Sequence, residues 1–228
     1  MQLEQLTWTE VRDAIHAGKT TIIVPAGGVE QSGPYVALGK HDRRVAVLSE
    51  RIARALGNAL VAPVISYVPE GSIAPPTEHM RFPGTISVPA DVFERTLESA
   101  AESFRAHGFR DVVFLGDHGG YQSNLGAVAE RLNRRWAATP VRAHFIAAYY
   151  RASGGHADRD DTSLTLAADP SMVRLRELRS APRPGPAGGV YGDDPRAAMA
   201  ERGRALADAQ VAAAVAAIRR ATGNRGRR

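Results

Sequence analysis

Glu30, His41 and His118 are the residues of this sequence whose types and surroundings point most directly to chemistry. Glu30 and His41 stand eleven positions apart in the glycine-rich run Pro25-Ala26-Gly27-Gly28-Val29-Glu30-Gln31-Ser32-Gly33-Pro34-Tyr35-Val36-Ala37-Leu38-Gly39-Lys40-His41-Asp42. His118 is framed by glycines in Gly116-Asp117-His118-Gly119-Gly120. Loops this rich in glycine let backbone approach a ligand closely. A carboxylate and imidazoles brought together from two such loops would make an oxygen- and nitrogen-ligated metal site. The sequence has no cysteine, which excludes disulfides, thiolate nucleophiles and thiolate ligands, so any metal must be held by His, Asp or Glu. Each histidine taken alone also reads as a structural hydrogen-bonder. A phosphate-binding loop is a further reading of a glycine-rich turn after a strand, but neither G-x-G-x-x-G nor G-x-x-x-x-G-K-[ST] is present.

The elements that must position these residues follow from apolar runs of four to six residues: Thr21–Val24, Leu60–Ile65, Val112–Leu115 and Val141–Ile146. These read as strands. Helical patterns lie around them, at about Thr9 to Ala17, Arg44 to Leu56, Pro89 to His107, Tyr121 to Trp136 and Arg196 to Ala221. The alternation predicts an α/β fold, a mostly parallel sheet with helices on both faces, because parallel neighbours need a crossover. Ligands collect at the carboxyl ends of such strands, so the segments after Val24, after Val64-Ile65 and after Leu115 matter most. Ser180 to Pro195 carries too much Pro and Gly for regular structure and predicts a long loop, a lid or an oligomer contact.

At 228 residues, with 44% hydrophobic and 23% charged residues, the chain suits one globular domain, expected over residues 1–222, with a basic, disordered tail at 223–228. The net charge of +5 comes from arginines scattered along the chain, so a nucleic-acid partner is not expected. No apolar run is long enough to span a bilayer, and the N-terminus lacks the basic-then-apolar pattern of a signal peptide. A cytoplasmic protein with no membrane partner is the expectation.

Four motifs, in order, resemble those of the creatininase family of amidohydrolases. Gly27 to His41 follows the family's G-S-x-E-Q-H-G-P-H-L-P-L-G-T-D in register. Phe82-Pro83-Gly84-Thr85 is similar to its Phe-Pro-Gly-Thr turn, and Gly116 to Tyr121 keeps the central His-Gly-Gly of N-G-H-G-G-N. His156-Ala157-Asp158-Arg159-Asp160-Asp161-Thr162-Ser163 resembles H-A-G-x-x-E-T-S. The resemblance implies a Rossmann-like creatininase fold, a divalent metal site at the strand ends, a small-molecule substrate and a homo-oligomer, often a hexamer.

Carried over by position, the family's metal carboxylate falls on Glu30 and its second-loop histidine on His118. Its histidine after the carboxylate is replaced by Ser32, and its metal-bridging aspartate aligns with His41, with Asp42 next to it. A carboxylate can bridge two cations while a neutral imidazole nitrogen binds one. One divalent ion per chain, zinc, manganese or iron, is therefore expected, held by Glu30, His41 and His118, with Asp161 as fourth ligand or general base and His156 as an alternative base. Ser32, His79, Gly119, Gly120 and Tyr121 are the expected substrate contacts; Tyr121 reads equally as part of the next helix. The implied activity is hydrolysis of a carbon–nitrogen bond in an amide, cyclic amide or formamide through a metal-activated water. Relatives act variously on formamides and on peptide-derived precursors of redox cofactors. The rival expectation is a catalytically weakened member that binds a metal or metabolite without turnover.

Overall fold

The computed structural model describes residues 1–150, 155–181 and 183–223. In chain order the longer elements are α1 (Trp8–His16), β1 (Thr21–Ala26), α2 (Lys40–Leu56), β2 (Ala59–Val61), α3 (Ala90–Ala106), β3 (Asp111–Gly116), α4 (Gln122–Arg135), β4 (Arg142–Phe145), α5 (Arg159–Ala168), α6 (Leu175–Arg179) and α7 (Ala200–Ala221). The four strands form one parallel sheet in the order β2-β1-β3-β4. This is the α/β architecture expected from the alternation of apolar runs.

Side chains on a strand alternate between its two faces. Ile22, Val24, Ala26, Val112 and Phe114 therefore point into one core, closed by Phe93 and Leu97 of α3 and by Leu125, Val128 and Leu132 of α4. Ile23, Val113 and Leu115 point into the other, closed by Val45, Leu48 and Ile52 of α2 and by Val211, Ala214 and Ile218 of α7. Burial on both faces explains why the strands read as continuous apolar runs.

The chain leaves β1 to build β2 on one side, then returns to build β3 on the other. The strand order reverses between β1 and β3, and a crevice opens where Ala26 and Gly116 end the paired register. Glu30 follows one of these strand ends, and Asp117 and His118 follow the other.

Four differences from the sequence reading bear on the site. The expected strand Leu60–Ile65 stops at Val61, since Pro63 has no N–H to donate, and pairing resumes only at the Ala26–Ile65 bridge. Helix α2 begins at Lys40 rather than Arg44, so His41 sits in a first helical turn and not in a loop. Helix α5 was not anticipated; Asp158 caps it, accepting from the backbone N–H groups of Asp160 and Asp161. The expected long loop holds a short turn at Pro186–Gly188 and a bridge from Tyr191 to His156. Residues 224–228 of the expected disordered tail lie outside the described residues. Among the described residues, no helix is long and apolar enough to cross a membrane.

Candidate metal centre

Glu30 is fully buried, and its two carboxylate oxygens face different surroundings. Oε1 meets protein cations: His41 Nε2 at 2.7 Å and Lys40 Nζ at 3.7 Å. Oε2 is buried with no hydrogen-bond partner, with His79 Nε2 at 3.2 Å and His118 Nε2 at 3.6 Å. Beyond His118 lies Glu70, whose Oε2 is 3.2 Å from His118 Nδ1. Both oxygens of Glu70 and Nδ1 of His118 are likewise buried without a hydrogen bond.

Unpartnered buried polar atoms are rare because each carries its full desolvation penalty. Here four of them converge, and Glu30, Glu70, His79 and His118 each place one donor atom within 4.8 Å of all the others. This donor set of two carboxylates and two imidazoles suits a divalent cation. Burial and the nearby Glu30 raise the Glu70 carboxyl to about 10. Burial lowers His118 to about 4, which keeps the ring neutral, as a metal ligand must be.

Local structure explains how Glu70 reaches the centre. Its backbone N–H donates to Ser87 Oγ at 2.9 Å, and that hydroxyl donates to the Gly71 carbonyl at 2.7 Å. A Cβ on Gly28 would lie 2.5 Å from Glu70 Oε1, and the residue has φ +139°, so only glycine lets the carboxylate in. The Phe-Pro-Gly-Thr turn fixes the facing loop, with Thr85 Oγ1 accepting from the Gln31 N–H at 3.1 Å.

Of the expected ligands, Glu30 Oε2 and His118 Nε2 stand 3.6 Å apart, while His41 and Asp161 are engaged by other side chains. Both ring nitrogens of His41 face carboxylates at 2.7 Å, Nε2 towards Glu30 and Nδ1 towards Asp117. Burial and Lys40 push the His41 pKa down, while Glu30 and Asp117 carry it upward overall. Both nitrogens of His41 are thereby engaged by protein carboxylates. Asp161 is occupied as well: Oδ2 accepts from Lys40 Nζ and from the Ala157 N–H at 2.8 Å, and Oδ1 accepts from Arg44. Burial opposes its ionisation, but Lys40 and Arg44 hold its pKa well below the usual carboxylate range. Asp42 Oδ1 accepts from the Gly28 N–H at 2.8 Å.

His79 and His156 line a cleft of about 810 Å³ together with Lys40, His41, His118 and Asp161. The Gln31 carbonyl lies 2.8 Å from His156 Nε2 and only accepts, so that nitrogen carries the proton and Nδ1 the lone pair. Burial and Lys40 lower His156 to about 3, so the ring is neutral. His79 Nδ1 lies 3.1 Å from the Gln31 side-chain amide. That amide nitrogen also donates to the Gly189 carbonyl at 3.1 Å and its oxygen accepts from the Gly33 N–H at 3.1 Å, so its orientation is fixed, and His79 Nε2 becomes a lone-pair donor only when Nδ1 releases this contact.

The other expected substrate contacts sit less directly. Ser32 is fully buried and does not line the cleft. The Tyr121 hydroxyl is turned to backbone, 2.9 Å from the Ala26 carbonyl and 2.5 Å from that of Gly27, where it clamps the strand ends. Gly119 and Gly120 leave room for neighbours: a Cβ would lie 3.1 Å from Tyr150 Oη at the first and 3.2 Å from His118 Cε1 at the second.

The family model for creatininase, creatinine amidohydrolase, matches residues 4–218. The chain belongs to the creatininase family. A tryptophan-to-alanine mutant of creatininase superposes with a TM-score of 0.82 at 22% identity, covering 97% of this chain and 98% of that one. The mycofactocin precursor peptide peptidase of Mycolicibacterium smegmatis is 27% identical over 175 residues, 75% of this chain and 66% of that protein. Its counterpart in Mycobacterium tuberculosis is 31% identical over 178 residues, 72% of this chain and 64% of that protein. The match therefore spans just under two thirds of these curated relatives. Creatininase membership and a clustered His/Glu site together are consistent with a metal-dependent hydrolase.

Proposed function

We propose that this creatininase-family chain hydrolyses an amide carbon–nitrogen bond, with one divalent metal ion held by Glu30 Oε2, Glu70 and His118 and completed by His79. The observation that carries this reading is the convergence of unpartnered, buried donor atoms on Glu30, Glu70 and His118. A divalent cation in such a site lowers the pKa of a water and polarises a carbonyl.

The remaining roles fall to the chain's own side chains. His156 presents the Nδ1 lone pair on the cleft wall, 3.5 Å from Glu30 Oε1, where it accepts a proton or hydrogen bond from the reacting group. Gln31 fixes the orientation of His156 through its backbone carbonyl. Asp161, both of whose oxygens are taken, is a positioning residue that holds Lys40 and Arg44.

The cleft volume exceeds that of a single small ring, and the peptidase relatives act, by their names, on a precursor peptide. We therefore place short peptides beside small amides as substrates, in the cytoplasm and in a homo-oligomer. Activity of the purified enzyme on amide and short-peptide panels, with and without chelator, tests the reading. Turnover that chelation abolishes and metal restores supports it, and turnover indifferent to chelator contradicts it.

A further inference from the structure

Lys40 is a buried lysine, 1% exposed, on the wall of the cleft. A lysine is almost never this buried without an anionic partner. Its Nζ donates to Asp161 Oδ2 and lies 3.7 Å from Glu30 Oε1, so one ammonium stands between two buried carboxylates. His156 Nδ1, 3.5 Å from the same Glu30 oxygen, adds a third electron-rich atom to that group.

Carboxylate and imidazole atoms grouped this way would ordinarily gather around a cation. Here the cation is covalently attached to the chain. Glu30 is thereby divided: Oε1 is committed to Lys40 and His41, and Oε2 is left for the centre shared with Glu70 and His118. Arg44 supports the arrangement from behind, binding Asp161 Oδ1 and, at 2.6 Å, Asp117 Oδ2.

The geometry points to Lys40 as the built-in second cation of the centre: its ammonium fills the place between Glu30 Oε1 and Asp161 and restricts the site to one metal ion. This rests on the metal centre proposed above. Substitution of Lys40 should therefore change how many ions bind and how tightly, independently of turnover.

The test is Mn²⁺ titration of the full-length wild type, K40A and K40M, read by bound metal and by electron paramagnetic resonance. Wild type should bind one equivalent with an uncoupled signal. K40A, which opens space and removes the charge, should bind a second equivalent and show coupling between neighbouring ions. K40M, which removes the charge but fills the space, should stay at one equivalent and bind it about tenfold tighter, since a cation close to a ligand is lost. Two equivalents in wild type, one in a folded K40A at saturation, or unchanged affinity in K40M would overturn the inference. If K40A does not fold, wild type and K40M still decide. A wild type that binds no Mn²⁺ would sink the metal-centre reading itself, a different failure from a wild type that binds two.

Discussion

Glu70 Oε2 lies 3.2 Å from His118 Nδ1, both atoms are buried, and no hydrogen bond joins them to each other or to any other group. Two such atoms held so close in a dry site must share a positive centre, either the proton that the raised Glu70 carboxyl carries or a cation that displaces it. The centre therefore extends from Glu30 towards Glu70, on the side of Glu30 away from Lys40 and His41.

The first prediction concerns E70Q. The amide keeps the shape of the side chain and removes its charge, so the fold should persist while metal binding weakens. A loss of more than about 100-fold is expected, because even outer partners of metal ligands typically contribute 10–100-fold. Bound metal after dialysis, with circular dichroism as the fold control, checks it.

Proton release provides a second prediction. With Glu70 raised to about 10 by burial and Glu30, the carboxyl is protonated at neutral pH and must lose that proton to bind a cation. Metal affinity should therefore rise with pH between about 6 and 8, by roughly tenfold per unit for each proton released. Calorimetry in buffers of different ionisation enthalpy should show about one proton leaving, and in E70Q that release should vanish.

A third prediction separates structure from chemistry. D117A removes the carboxylate shared by Arg44 and His41 and leaves each buried group with one carboxylate partner fewer, so it should destabilise the fold by about 3–5 kcal/mol in denaturant melts. Burial opposes ionisation of Asp117, but Arg44 and His41 hold its pKa below the ordinary value in the folded state. Its stabilisation is thus present above the unfolded carboxylate range and is lost as pH falls through the depressed folded value. Wild type should lose stability on acidification more steeply than the alanine variant.

The fourth prediction is for H156A. His156 contacts the cleft but contributes no atom to the clustered donor set, so metal content should be unchanged while kcat falls by about 10²–10⁴-fold. A parallel loss of metal would place His156 among the ligands instead.

The sheet, its parallel sense and the two strand-end loops were legible in the sequence because buried parallel strands leave continuous apolar runs bounded by glycine and proline. Glu30 and His118 were legible for the same reason. Glu70 was not, although the segment after Val64-Ile65 was recognised as a strand end. It lies in Tyr67-Val68-Pro69-Glu70-Gly71, with no motif around it, and what marks it is a glycine elsewhere, Gly28, whose missing side chain makes room for it. The partners of His41 and Asp161 were hidden because Lys40, Arg44 and Asp117 belong to separate segments from Asp161 and meet it, or one another, only in the folded chain. A residue type shows what a side chain can bind, while its tertiary partners decide whether a lone pair remains.

The most direct test of this centre is anomalous diffraction from crystals of the wild type grown with Mn²⁺. One peak per chain is expected, bounded by Glu30 Oε2, Glu70, His79 and His118, with Lys40 Nζ still between Glu30 and Asp161. A peak coordinated by His41 or Asp161, or two peaks sharing Glu30, would contradict it.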